Sequence, residues 1–270
     1  MFAKTETMNL TIIGGGNLGS AIARGVAEKE IFEKVVVTRR NIASINVLTE
    51  LGITIESDNK NAVSQADVVI LAVKPHQIKA IAEEIVSHLK NPLLISVITG
   101  VSLENLASYF GAGKRIVRAM PNTAASQAES MTCIALNEQT TKEDKNVTEK
   151  LFSTLGEAVF IEEKLMDAAT VLGASGIAFV MRFIRAMMQG GIQIGFDSKT
   201  ALAIVTQTVK GAAVILQKEH SHPENEIDKV TTPQGCTIAG LNEMELQGFS
   251  SALIKGINTS HKAIEEIKKK

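Results

Sequence analysis

The chain has 270 residues, of which 45% are hydrophobic and 21% are charged, and its formal net charge is −1. This length allows two domains with buried cores, and the near-neutral charge gives no electrostatic basis for binding nucleic acid or an anionic membrane. Residues 1–8 are too polar for a signal peptide, and no apolar segment is expected to reach the roughly 20 residues that cross a bilayer. Cys133 and Cys236 form no CxxC pair, so free thiols in a reducing, cytoplasmic compartment are expected.

The first part of the chain alternates short β-branched segments with amphipathic helical segments. Near-continuous apolar segments predict strands buried on both faces, as in a parallel sheet covered by helices. The predicted strands are 10–13, 35–37, 68–73, 93–97, 116–119, 131–136 and 158–161, and the predicted helices between them are 17–29, 42–51, 76–89 and 102–111. This order predicts an α/β fold in which residues 1–163 form a Rossmann-type, doubly wound sheet.

A glycine-rich turn follows the first predicted strand and opens the first predicted helix. Its residues are Gly14, Gly16, Asn17, Leu18 and Gly19. In this motif the first glycine permits a tight turn, the second lets a pyrophosphate approach the main chain, and the third allows close packing of the helix on the strand. Because the motif lies in a strand–turn–helix context, we expect it to bind a dinucleotide.

The end of the second predicted strand bears on the choice of coenzyme. Sites that prefer NAD usually have an Asp or Glu there to accept from the ribose 2′-hydroxyl, whereas this chain has Thr38, Arg39 and Arg40. A hydroxyl and guanidinium groups can bind a 2′-phosphate that a carboxylate would repel. These residues favour NADPH over NADH. Alternatively, one arginine only stacks on the adenine and both coenzymes are used.

Three further loops follow strands at the carboxyl edge of the predicted sheet, where the coenzyme crevice of such folds lies. Their small and polar residues are expected to border the nicotinamide half of the coenzyme. The loops are Ala72-Val73-Lys74-Pro75, residues 96–100, and residues 120–123 with Asn122.

Strand patterns stop after about residue 164. Helices are predicted at 165–190, 199–219, 224–230, 237–247 and 250–267. The first of these is apolar almost all round, and a helix without a polar face must be covered by other chain segments. Residues 164–270 are therefore expected to form an all-helical dimerisation domain whose helices interlock in a homodimer. The alternative is a fully internal helix.

A turn containing proline and glycine separates two of these helices. Thr232 precedes Pro233, which ends one helix, Gly235 lets the chain turn, and Cys236 or Thr237 begins the next. Unpaired N–H groups and the positive end of the helix dipole then converge on a site for a small carboxylate, beside the Thr237 hydroxyl. An ordinary helix–turn–helix corner is the alternative interpretation.

These segments together resemble the pyrroline-5-carboxylate reductase family. The most specific match is Asp228-Lys-Val-Thr-Thr-Pro-x-Gly-x-Thr-Ile-Ala-Gly-Leu241, and the glycine-rich turn, Ala72-Val-Lys-Pro75 and Arg118-Ala-Met-Pro-Asn-Thr123 also match. The resemblance implies an NADP-binding Rossmann domain, a helical dimerisation domain and often a larger ring of dimers. It also implies that Thr237 faces the substrate imine and that the preceding turn holds the substrate carboxylate.

The chain departs from the family pattern around the expected pocket. Where the family commonly has Pro, Gly, Pro, Tyr and Gly, this chain has Ala124, Ala174, Ile177, Phe179 and Gln234. The loss of a proline frees the start of a helix, and a phenylalanine cannot supply a phenolic hydroxyl. These changes affect helper contacts more than the predicted carboxylate turn.

The expected activity is the NAD(P)H-dependent reduction of the cyclic imine 1-pyrroline-5-carboxylate to L-proline, the last step of proline biosynthesis. The hypothesis is that the N–H groups of Gly235, Cys236 and Thr237 bind the carboxylate, near Thr232, while the Thr237 hydroxyl contacts the ring nitrogen. One alternative is a non-catalytic, NADPH-binding dimeric sensor or scaffold. A β-hydroxyacid dehydrogenase is less favoured because residues 176–181 lack the lysine base of that family. His220 and His222 have no third ligand nearby in the sequence, so no metal site is predicted.

Overall fold

The computed structural model describes residues 8–268, without the side chains of residues 265, 267 and 268. By packing, the chain divides into two compact units. The sheet unit contains the described residues up to Ser175 and the end of the last helix from Ala263, and the helical unit is Gly176–Lys262. The division by packing falls after Ser175, twelve residues beyond the domain boundary predicted after residue 163. The predicted boundary stays a prediction. The N-terminal residues 1–7 lie outside the described residues.

The sheet unit is built on eight strands in the order β3-β2-β1-β4-β5-β6-β7-β8. All neighbouring strands are parallel except β6 and β7. The chain order changes direction between β1 and β4, which is the switch point where open α/β sheets bind ligands. The predicted doubly wound fold is therefore confirmed. The strands are β1 Asn9–Ile13, β2 Lys34–Thr38, β3 Thr54–Glu56, β4 Val68–Leu71, β5 Leu93–Ser96, β6 Ile116–Met120, β7 Ser130–Leu136 and β8 Gly156–Phe160.

Helices cover both faces of this sheet, and a cluster of buried apolar side chains lies on each face. The α-helices of the sheet unit are α1 Asn17–Glu28, α2 Asn59–Val63, α3 Ile78–Ile85, α4 Leu103–Phe110, α5 Lys142–Ser153 and α6 Met166–Ala169. Shorter turns of 3₁₀-helix lie at Pro75–Gln77, Val86–His88, Thr123–Gln127 and Glu163–Leu165, and a π-helical segment, Thr170–Ser175, follows α6.

Several helical predictions need correction. Residues Ile42–Leu51 form a 3₁₀-helix rather than an α-helix, and the predicted helix 76–89 is divided among three short elements. The predicted helix 165–190 is interrupted by the π-helical segment. The sequence did not predict β3, α2 or α5.

A buried arginine connects the sheet to α6 and to the 3₁₀ turn that precedes it. The Arg118 side chain is 2% exposed; its Nη1 lies 3.5 Å from the Glu163 carboxylate, and its Nη2 lies 3.3 Å from that of Asp167. Glu163 also accepts a hydrogen bond of 2.6 Å from the Leu103 N–H. Two carboxylates thus compensate the buried charge, as an unpaired guanidinium in this place would be destabilising.

The helical unit contains four complete helices and most of a fifth. They are α7 Gly176–Gln193, α8 Ser198–Glu219, α9 Pro223–Lys229, α10 Cys236–Leu246 and α11 Phe249–Lys268, whose end belongs to the sheet unit. Asp197 caps α8 by accepting from the N–H groups of Lys199 and Thr200 at 3.0 and 3.1 Å. Among the residues described in this unit, only Ala201 and Val205 are buried. The unit therefore has almost no core of its own.

Two helical segments, Glu163–Gln193 and Ser198–Glu219, are long and apolar enough to cross a membrane by length and composition alone. The expectation that no apolar segment reaches this length is wrong for these two. Length and composition do not distinguish a membrane span from a helix that is covered by a protein partner.

Candidate active site

The glycine-rich turn between β1 and α1 is folded tightly against two neighbouring strands. Gly14 has a φ of +109°, and a Cβ at this position would collide with the Ala72 carbonyl oxygen. A Cβ at Gly19 would collide with the Gly14 carbonyl oxygen. The N–H groups of Gly14 and Gly15 donate to the Thr38 carbonyl at 3.1 and 2.8 Å. Gly14 and Gly19 are thus placed as the motif predicts, at a tight turn and at a close approach of helix to strand.

The N-terminus of α1 is open where an anion would bind. Gly16 is the N-cap, no side chain caps the helix, and its first turn has no acidic residue. A Cβ built on Gly16 would have no atom within 4 Å. The N–H groups and the positive end of the helix dipole are therefore accessible, and this arrangement fits a pyrophosphate.

A cavity of about 590 Å³ lies over this turn. It brings together most of the residues predicted to bind the coenzyme, with the exceptions of Pro75 and Asn122. The predicted residues that line it are Gly14, Gly16, Asn17, Leu18, Gly19, Thr38, Arg39, Arg40, Ala72, Val73 and Lys74. Pro75 instead begins a short 3₁₀-helix.

Thr38 and the two arginines differ in how they are held. Thr38 is 2% exposed, and its hydroxyl donates to Asn59 Oδ1 at 2.6 Å. Arg39 Nη1 donates to the Gly15 carbonyl at 2.7 Å, so this side chain braces the glycine-rich turn. Arg40 is exposed at the cavity. The three residues are therefore not equivalent anchors for a phosphate.

The sequence did not identify Asn59 as a residue of this cavity. Asn59 is the first residue of α2, whose N-cap Asp58 accepts from two N–H groups of the helix. Its Nδ2 donates to Glu84 Oε2 on α3 at 3.1 Å. An Asp followed by a short helical segment is a capping signal that could have located α2. The three-residue strand before it was too short to produce an apolar pattern.

A second cavity of the sheet unit, of about 480 Å³, brings together the other predicted loops. It shares Asn17, Leu18 and Val97 with the first cavity, and Thr99 and the segment 120–123 also line it. These loops were predicted to border the nicotinamide half of the coenzyme.

Asn122 lines this second cavity, but its side chain already has two partners. Its Oδ1 accepts from the Ala124 N–H at 2.9 Å, and its Nδ2 donates to the Gly173 carbonyl at 3.1 Å. Its main-chain N–H donates to Ser130 Oγ at 3.0 Å. Asn122 therefore braces its loop against the π-helical segment. Asn122 still lines the second cavity, and its predicted role as a coenzyme-binding residue stays a prediction.

The residues predicted to bind the substrate lie within one turn of the helical unit. The Gly235 N–H donates to the Thr232 carbonyl at 2.9 Å, and a Cβ on Gly235 would lie only 2.5 Å from Thr232 Oγ1. Gly235 is the N-cap of α10, and no side chain caps that helix. Cys236 and Thr237 are its first two residues, so their N–H groups have no intrahelical acceptor. The Gly235 N–H, which was predicted to bind the carboxylate, is instead used within the turn.

Two family models match the chain: one for pyrroline-5-carboxylate reductase dimerisation, over residues 163–267, and one described as NADP oxidoreductase coenzyme F420-dependent, over residues 9–100. The chain is 44% identical to pyrroline-5-carboxylate reductase 1 of Dictyostelium discoideum over 93% of its own length, and spans 48% of that protein. It is 37% identical to pyrroline-5-carboxylate reductase of Aquifex aeolicus (strain VF5), with 97% of this chain and 99% of that one covered. The chain belongs to the pyrroline-5-carboxylate reductase family.

A solved structure of the same family has a closely similar fold. It is the pyrroline carboxylate reductase of Plasmodium falciparum with NADP bound, which matches with a TM-score of 0.87 and 26% identity over 98% of this chain and 99% of that one. The family and the reductase function predicted from the sequence are confirmed by these similarities. They also support the coarser statement that the chain is an NAD(P)H-dependent oxidoreductase.

The departures from the pyrroline-5-carboxylate reductase pattern fall in three places. Gln234 has a φ of +59°, a left-handed conformation that explains why glycine is usual there. Ala174 lies in the π-helical segment and lines the second cavity, while Ile177 and Phe179 lie in the first turn of α7. The Ala124 N–H donates the hydrogen bond to Asn122 that starts a short helix, and a proline there would lack the donor.

Proposed function

We propose that this chain reduces 1-pyrroline-5-carboxylate to L-proline, with NADPH as the preferred reductant, in the cytoplasm. The observation that carries the proposal is the uncapped start of α10 beside Thr237, in a chain whose sheet unit has an open dinucleotide turn. Cys133 and Cys236 are free cysteines, and a reducing compartment would keep them so.

The coenzyme would be held by the glycine-rich turn, with its pyrophosphate at the start of α1 and its 2′-phosphate near Arg39 and Arg40. The family model for NADP oxidoreductases and the NADP-bound relative support this assignment. The bound coenzyme supplies the hydride. The rest of the reaction depends on how the protein binds and orients the cyclic imine.

The substrate carboxylate would accept hydrogen bonds from the N–H groups of Cys236 and Thr237 at the positive end of the α10 dipole. Thr232 and Gly235 shape the turn, and the Thr237 hydroxyl would contact the ring nitrogen. A protonated imine accepts a hydride readily at the C=N carbon, and the product is a secondary amine. Because the imine nitrogen can take its proton from water, the site needs orientation and charge placement rather than a strong acid.

Replacement of Thr237 by alanine tests this site. A hydrogen bond to a charged group contributes ~1.5–3 kcal/mol, so kcat/KM for pyrroline-5-carboxylate should fall roughly ten- to hundredfold. Thr237→Ser, which keeps the hydroxyl, should retain most of the activity. The rate is followed as the loss of NADPH absorbance.

A loss of less than twofold in Thr237→Ala would exclude the role of the hydroxyl. NADPH binding without turnover in the unmodified protein would contradict the reductase assignment and favour a sensor or scaffold. Formation of NADPH from NADP with β-hydroxyacids as substrates, followed by the same absorbance, would identify a β-hydroxyacid dehydrogenase instead.

We further propose that the helical unit pairs with a second copy of the chain, with interlocked helices. Large apolar side chains are exposed on its helices, among them Val180, Met181, Leu202, Ile204, Leu253 and Ile254. So many large exposed apolar side chains are typical of a surface that is covered by a partner. The match to the dimerisation model supports the pairing, and a larger ring of dimers remains part of the proposal.

A further inference from the structure

We propose that Glu84, which does not line the coenzyme cavity, sets the preference between NADPH and NADH by fixing the orientation of the Asn59 amide. The inference rests on the coenzyme site proposed above. It deepens that proposal by naming a residue that acts on the 2′ position of the coenzyme through two others.

Three side chains from three elements form a continuous chain of hydrogen bonds. Thr38, the last residue of β2, donates its hydroxyl proton to Asn59 Oδ1 at 2.6 Å. Asn59, the first residue of α2, donates from Nδ2 to Glu84 Oε2 on α3 at 3.1 Å. Thr38 and Asn59 both line the cavity. The direction of these bonds therefore determines which donors and acceptors the cavity presents.

Glu84 imposes that direction because a carboxylate can only accept hydrogen bonds. Asn59 must turn its NH₂ group toward Glu84, which leaves its oxygen toward Thr38. Thr38 then commits its only proton to Asn59 and has only lone pairs left. A site with such acceptors suits a ribose hydroxyl, which can donate to them. A 2′-phosphate has only acceptor oxygens near neutral pH, so it would gain no bond from Thr38.

The two arginines and the hydrogen bonds that link Glu84 to Thr38 therefore have opposite effects on the preference between NADPH and NADH. Arg39 and Arg40 line the same cavity and attract a 2′-phosphate. The orientation of the Thr38 hydroxyl favours the 2′-hydroxyl of NADH. The preference for NADPH should consequently be smaller than the arginines alone would produce.

Replacement of Glu84 by glutamine frees the Asn59 amide to reverse, because glutamine has nearly the same shape as glutamate but can also donate hydrogen bonds. The amide introduced at position 84 could donate to the Asn59 oxygen, and the reversed Asn59 could donate to Thr38. The Thr38 proton would then be free to bind a phosphate oxygen. Glu84→Gln should raise the ratio of Kd for NADH to Kd for NADPH about tenfold, the effect of one hydrogen bond to a charged group.

The test is a titration of the full chain with NADPH and with NADH, followed by the fluorescence of the reduced nicotinamide. The matched control is Glu83→Gln, which removes the same charge from an exposed position on the same helix and should change the ratio by less than twofold. An unchanged ratio in Glu84→Gln, an equal change in both variants, or an equal loss of both coenzymes would overturn the proposal.

A second comparison isolates the Thr38 proton. In the Glu84→Gln background, Thr38→Val should abolish the tenfold gain, because no hydroxyl remains to donate to the phosphate. Persistence of the gain without the hydroxyl would contradict the mechanism. The titrations require no turnover. A chain that shows the shifted ratio but does not reduce pyrroline-5-carboxylate would contradict only the proposed function.

Discussion

Arg39 and Arg40 are neighbours in sequence, but they make different contacts. Arg39 donates to the Gly15 carbonyl at 2.7 Å and so supports the turn that we propose to bind the pyrophosphate, which NADPH and NADH share. Arg40 is exposed and lines the same cavity, where we propose that it contacts the 2′-phosphate that distinguishes NADPH from NADH. Their replacement should therefore have separable effects on coenzyme use.

Arg40→Ala should raise KM for NADPH about tenfold and leave KM for NADH within twofold, because it removes a charge-assisted contact to the phosphate. Arg39→Ala should raise KM for both coenzymes, since the glycine-rich turn loses its brace. Steady-state kinetics with each coenzyme at saturating imine measure both effects. If neither variant changes the ratio of the two KM values, the assignment of the phosphate site to these arginines is wrong.

At the scale of elements, the turn between α9 and α10 contains a strained residue. Gln234 has a φ of +59°, where a side chain costs roughly 1 kcal/mol relative to glycine. Gln234→Gly should raise the free energy of unfolding, measured in urea, by up to about 0.5 kcal/mol, because the added freedom of the unfolded chain offsets part of the relieved strain. Gln234→Ala, which keeps a Cβ, is the control and should give no gain. An equal gain in both variants would exclude backbone strain as the cause.

The elements that the sequence predicts well are those that are buried on both faces, because such burial requires apolar residues. β4 and β5 are buried on both faces and consist almost entirely of apolar residues, and β1 is buried from Leu10 onward with Thr11 as its only polar residue there. β3 has three half-buried residues, and α5 has a mostly polar sequence, so neither produces an apolar pattern. α5 does begin with a capping box between Thr141 and Asp144, which was a usable signal.

The candidate site was predicted less completely, because hydrogen-bond partners distant in sequence are not visible in a motif. The glycine turn and the start of α10 depend on local geometry and could be located. The bond of Thr38 to Asn59, 21 residues away, and that of Asn122 to Gly173, 51 residues away, could not. A motif can therefore locate Thr38 and Asn122 in the fold, but it cannot show which groups their side chains bind.

At the scale of the whole molecule, the two units differ in how much of their apolar surface is buried. The sheet unit has two extensive buried clusters, whereas the described part of the helical unit buries only Ala201 and Val205. Within the helical unit, a cavity of about 500 Å³ is lined by Phe179, Phe183, Leu253 and other apolar residues. Such a surface is the expected contact with the second copy.

Leu253→Glu should therefore dissociate the proposed dimer, because a carboxylate in an apolar interface would lose its hydration without a partner. Leu253 is 44% exposed in the single chain, so the substitution places no charge in a preformed core. The mass in solution, measured by light scattering, should fall from dimer to monomer. Gln139→Glu, at an exposed loop of the sheet unit, is the control and should remain dimeric. A monomeric unmodified protein, or a dimeric Leu253→Glu, would contradict the pairing.

The near absence of a core in the helical unit has a consequence for how the protein accumulates in a cell. The helical unit Gly176–Lys262, which contains Thr237, would become stable only after one copy encounters another. At concentrations below the dissociation constant, mass action makes the amount of paired chain rise with the square of the amount synthesised, so a doubling of expression gives about four times as much competent reductase. Gene dosage would thus be amplified by assembly, without any regulatory ligand.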